Sequence, residues 1–84
     1  MQTVKVEIGS RGFQVGVERD TERRRGSFET WQVAASAVKD WLVAARGPVA
    51  VVVDRELIAL TAPDEVVPFL NALVARRTST SQAA

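Results

Sequence analysis

With 84 residues, 46% of them hydrophobic and 25% charged, the chain has the size and composition of one globular domain with a modest core. It contains no cysteine, histidine or tyrosine, which excludes disulfides, thiolate metal sites and imidazole acid–base chemistry. The net charge of +1 gives no global pull toward nucleic acid or membrane, so any electrostatic function has to rest on local clustering.

What remains for catalysis is carboxylates, Lys5 and Lys39, hydroxyls and arginines. From so thin a set the expectation is a protein that is not an enzyme and that uses no cofactor and no metal. Met1–Lys5 does not read as a basic-then-apolar leader, and there is no run of about 18 apolar residues. The expectation is a cytoplasmic protein that does not enter a membrane.

From Thr3 to Ile8 the chain alternates, with Val4, Val6 and Ile8 to one side and Lys5 and Glu7 to the other. That is the period of a half-buried strand. Gly9-Ser10-Arg11-Gly12 supplies a turn, and Phe13, Val15 and Val17 resume the alternation against Gln14 and Glu18. The two runs read as a hairpin with one apolar and one wet face. Gly16, on the wet face, marks a bulge or a close backbone approach.

Arg19 to Gly26 reads as a polar connector, the most charged stretch of the chain. It leads to a helix over Phe28–Arg46, with Ser27 as the favoured N-cap and Thr30 as the alternative start. Phe28, Trp31, Ala35, Val38, Leu42 and Ala45 form its apolar stripe, and Gly47-Pro48 ends it. This helix is expected to lie on a sheet and organise the core.

Val49–Val53 and Leu57–Leu60 are continuous apolar runs separated by Asp54-Arg55-Glu56, which predicts a second hairpin. Its strands are apolar on both faces, as in strands buried on both sides. Thr61 and Asp64 have the spacing of a capping box, with Pro63 in the first turn. Pro68 would break a helix interior, so the reading is a short turn at Pro63–Val66 and a regular helix from about Val67 to Arg77. Val66, Phe69, Leu70 and Leu73 form its apolar stripe. Residues 78–84, small and polar, read as a disordered tail to a single domain spanning 1–77.

The fold class expected is α+β, in the order ββαββα, with a four-stranded antiparallel sheet and two helices packed on one face. Two ββα units with similar helix ends, Trp41–Arg46 and Asn71–Arg77, suggest internal duplication. The alternative is simply a short chain whose helices both end in arginine.

Four constellations stand out as candidate sites. Arg19, Arg23, Arg24 and Arg25 lie close enough to contact phosphates, although Glu18, Asp20 and Glu22 interleave with them. Asp54, Glu56, Asp64 and Glu65 could pair over a proton or metal, but each also has a structural reason in a turn or helix start. Trp31 and Trp41 are about 80° apart around a helix, so Trp41 is expected at the edge, as a partner-interface anchor. In the second hairpin, either Val49, Val51 and Val53 or Ala50 and Val52 need cover that the chain itself does not supply. A second copy is the economical source of that cover, with Val49, Val51 and Val53 as the interface set.

The order of helix, Gly47-Pro48, valine-rich hairpin and helix over Val38–Leu73 resembles small bacterial antitoxins of the Phd/YefM type. The resemblance covers under half the chain and leaves out the Thr3–Glu18 hairpin. It implies a bacterial-type regulator that binds nucleic acid. The residues themselves favour a small non-enzymatic protein–protein interaction module, a regulator, adaptor or inhibitor, acting as a homodimer. The alternative is a nucleic-acid-binding regulator using Arg19 and Arg23–Arg25 on phosphates.

Overall fold

The computed structural model describes residues 2–42 and 47–83, with side chains as far as Arg77. Strands β1 (Gln2–Ile8), β2 (Phe13–Arg19) and β3 (Glu22–Phe28) lead into helix α1 (Trp31–Trp41). Strands β4 (Val49–Val53) and β5 (Glu56–Thr61), a 3₁₀ turn at Pro63–Glu65 and helix α2 (Val66–Ala83) follow. The strands form one mixed sheet in the order β3-β2-β1-β4-β5, in which β1 and β4 are parallel and every other pair is antiparallel.

The α+β class holds, but the expected four-stranded antiparallel sheet is corrected to five mixed strands. The missed strand is β3, which occupies the predicted polar connector. It is an edge strand with charges on both faces, so burial writes no alternation into its sequence. Its place is set by the tight turn after Arg19, where Asp20 takes the left-handed conformation (φ 52°), and by pairing from Arg19–Glu22 to Phe13–Phe28. Because Ser27 and Phe28 belong to β3, α1 begins later than the favoured reading placed it. Thr30 is the N-cap, its Oγ1 accepting from the Val33 N–H at 3.5 Å.

Helix α1 ends at Trp41, and Leu42 is extended. Residues 43–46, where the sequence placed the last helical turn, lie outside the described residues. Gly47 is left-handed (φ 74°), as a residue between a helix and Pro48 should be. The crossover through α1 carries the chain past β2 and β1 and sets β4 beside β1.

Alternation then decides the core. Val4, Val6, Val15, Val17, Val49, Val51 and Val53 share one side of the sheet and are buried there beneath Ala34 and Val38 of α1 and Val66, Leu70 and Val74 of α2. Valine's stiff branched side chain suits a pleated surface, and Ala34 lets α1 sit close to it. Trp31 Nε1 donates to Asn71 Oδ1 at 2.6 Å, tying the two helices together.

Pro68 is the third residue of α2, within the first turn, where an N–H has no intrahelical acceptor to lose. The expected capping box does not form, because Ala62 is the cap residue and Thr61 Oγ1 donates to Glu65 at 3.4 Å instead. Helix α2 continues through 78–83, the segment read as a tail, since no glycine or proline follows Arg77 to stop it.

The topology also bears on duplication. Superposing β1-β2 on β4-β5 requires a half-turn about the strand direction, which turns the sheet over. That operation would put α2 on the side opposite α1, yet the two helices share one core. The ββα order is not an internal symmetry.

Candidate functional site

The side of the sheet away from the helices falls into two halves of different chemistry. Over β1, β2 and β3 it carries Lys5, Glu7, Gln14, Glu18, Arg23 and Arg25. Lys5 Nζ lies 3.0 Å from Glu18 Oε2. That hydrogen bond holds the Glu18 carboxyl below the usual glutamate range, against the opposing effect of desolvation and with help from the charges of Lys5, Arg23 and Arg25.

Gly16 sits in the middle of this half, opposite Lys5 and Arg25. It is buried because the Arg25 stem crosses it, and a Cβ there would lie 3.1 Å from Arg25 Cγ. The close approach expected at this glycine is therefore made by a side chain. A shallow groove of about 390 Å³ results, floored by Gly16 and walled by Lys5, Glu18 and Arg25.

The arginine cluster is divided by the pleat. Arg23 and Arg25 face the open side, whereas Arg24 lies opposite Val17 on the helix side. Arg19 is also on the helix side, its Nη2 donating to Glu22 Oε2 at 3.0 Å. The four guanidinium groups do not form one surface.

Over β4 and β5 the open side is apolar, made of Ala50, Val52, Leu57 and Leu60. Val49, Val51 and Val53 point the other way and are fully buried in the chain's own core. A bulge between the Val51 and Val52 pairings leaves Ile58 as an extra residue. Ile58 and Ala59 both pack against the core, and Leu57 and Leu60 are each 60% exposed on the open side.

Among the described residues, four large apolar side chains are exposed: Val33, Leu57, Leu60 and Phe69. Leu57 and Leu60 lie on β5, one edge of the sheet. Asn71 of α2 faces α1 through its bond to Trp31, and Phe69, two residues earlier, lies about 200° around the helix. It therefore stands on the flank of α2 turned away from α1. The opposite edge of the sheet differs sharply, because β3 carries Glu22, Arg23, Arg24 and Arg25 within seven residues. In β5, Glu56 is the one charged residue of six.

Both tryptophans are half-buried on the helix side. Trp31 meets Phe13 edge-to-face at 5.5 Å, and Trp41 meets Phe28 at 6.2 Å. Trp41 also rests over Gly26, where a Cβ would approach its ring to 3.2 Å. The residue expected to be spare thus clamps the end of α1 to β3.

The carboxylates are spread over structural roles. Asp54 Oδ1 accepts from the Ile8 N–H at 3.1 Å and Oδ2 from Arg77 Nη1 at 2.6 Å, while Glu65 receives the Thr61 hydroxyl. Among the described residues no group of three or more acidic side chains could hold a metal, and no helix is long and apolar enough to cross a membrane.

No protein-family model, curated protein or solved structure matches the chain. The antitoxin resemblance over Val38–Leu73 therefore carries no argument about function.

Proposed function

We propose that the protein is a non-enzymatic protein–protein interaction module that acts as a homodimer. The observation that supports this reading is the placement of Leu57 and Leu60. Among the described residues two of the four exposed large apolar side chains lie together on one sheet edge, which has almost no charge to protect it. Contiguous apolar surface of this kind marks an interaction site, and natural edges left unpaired usually carry charges such as those on β3. The lack of histidine and cysteine in the chain is consistent with a role in binding. Sedimentation equilibrium tests the proposal. Dimers are expected at micromolar concentration, and a monomer that persists up to the solubility limit sinks it.

A second reading rests on Arg23 and Arg25, which share the open side with Lys5. They would contact phosphates of a nucleic acid, with affinity that falls steeply as salt rises. Glu18 and Glu7 on the same surface weaken that field. If low-salt binding is absent, or survives Arg23→Ala/Arg25→Ala unchanged, this reading fails.

A further inference from the structure

We infer that the partner at the β5 edge is a second copy of this chain, joined strand to strand so that Leu57 lies opposite Leu60 of the partner subunit; the inference rests on the homodimer reading. The argument starts from the bulge. Ile58 and Ala59 both face the helices, so they count as one position of the pleat, flanked by Leu57 and Leu60 on the open side and by Glu56 and Thr61 on the helix side. The strand therefore reads the same in both directions by face. In an antiparallel pair, residues directly opposite each other share a face. Pairing β5 with itself in the register Glu56–Thr61, Leu57–Leu60, with the bulge on the bulge, satisfies that rule at every position. A shift by one position places each exposed leucine opposite a residue that faces the helices.

Charge points to the same closed pairing. The register sets Glu56 against Thr61 of the partner subunit, which keeps the two carboxylates apart. Pairing β5 with β3 of another copy would build an open-ended array, but the Glu22–Arg25 charges on that edge oppose it. Stacking the open sides face to face would bury Lys5, Glu18, Arg23 and Arg25 of both copies, at a heavy desolvation cost.

The area fits a weak dimer. Six residues at about 3.3 Å each give an edge about 20 Å long. The molecule measures about 20 Å across its two short axes. Joining two such edges, about 20 Å by 20 Å, covers roughly 400 Å² per copy, below the size of a standard stable interface, which suits a weak dimer that dissociates at micromolar concentration.

The chain has no cysteine, so single thiols can report the register. Leu57→Cys and ¹⁵N-labelled Leu60→Cys proteins are mixed in equal amounts, mildly oxidised, and the disulfide-linked species weighed by mass spectrometry, where the label separates the mixed dimer from the two self-linked ones. Directly opposed positions fall within disulfide reach, whereas Leu57 and its own symmetry mate are diagonal and about 7–8 Å apart. The mixed disulfide is expected well above the half that random collision gives, with little linkage in either variant alone. A random mixture, or strong linkage of one variant to itself, overturns the register. Sedimentation of the unmodified chain separates the two levels: a dimer without the mixed disulfide sinks this inference alone, and a monomer sinks the homodimer reading with it.

Discussion

Leu57 and Leu60 are three residues apart on β5 and still face the same side, one opposite Val52 and the other opposite Ala50. A regular strand would turn them to opposite faces. The bulge at Ile58 brings both leucines to the open side, where they remain exposed while Ile58 and Ala59 serve the core. One irregularity thus converts half of an apolar strand into surface.

Asp54 holds three elements at once. Its N–H donates to Val6 O, one carboxylate oxygen caps the Ile8 N–H at the end of β1, and the other receives Arg77 from α2. Asp54→Ala removes both acceptors and places alanine at a positive φ, which aspartate tolerates better. The expected loss is about 2 kcal/mol in urea unfolding, and Asp54→Asn should lose less than about 1 kcal/mol, because it keeps an acceptor and the backbone preference.

Asp54 and Arg55 are both left-handed, with φ of 50° and 71°, as a two-residue primed hairpin turn requires. No glycine is present to take that conformation. Arg55 is nearly fully exposed and its approach to Glu7 is long, at 3.8 Å, so the side chain contributes little. Arg55→Gly is expected to stabilise the fold by about 0.5–1 kcal/mol, read as a higher urea midpoint at unchanged slope. A lower midpoint would show that the arginine has a role beyond the turn.

The first hairpin was legible because burial imposes a period on sequence. Val4/Val6 and Val15/Val17 are apolar where the sheet meets the helices. Strand β3 was not legible, since neither of its faces is buried along Glu22–Arg25 and pairing with β2, an event remote from its own side chains, defines it. Val49, Val51 and Val53, read as the interface set, are buried in the core, because β4 is apolar on both faces and its sequence does not say which side meets the helices. A run such as Leu57–Leu60 hides its own register, and only the bulge tells which residues turn outward. Trp41 looked spare because the glycine beneath it, Gly26, lay in a stretch read as a loop.

Glu18 gives the fold a pH signature. Its folded carboxyl titrates below the ordinary glutamate range because Lys5 Nζ donates to it. A carboxylate lowered in this way adds stability above its unfolded value, about 4.3. That contribution disappears as pH falls through the lower folded value. In Lys5→Met, the loss of stability between pH 6 and pH 3 is expected to be shallower than in the parent chain, as read by urea midpoints. Equal slopes in the two proteins would mean that the Lys5–Glu18 pair is not formed in solution.

Sedimentation velocity of the parent chain beside Leu57→Lys/Leu60→Lys tests the central claim most directly. Both leucines are exposed, so the substitutions leave the core intact and the melting temperature of the isolated subunit should change little. The account expects a dimer for the parent at about 10–100 µM and a monomer for the variant at the same concentration. A parent chain that sediments as a monomer throughout, or a variant that remains fully dimeric, would contradict it.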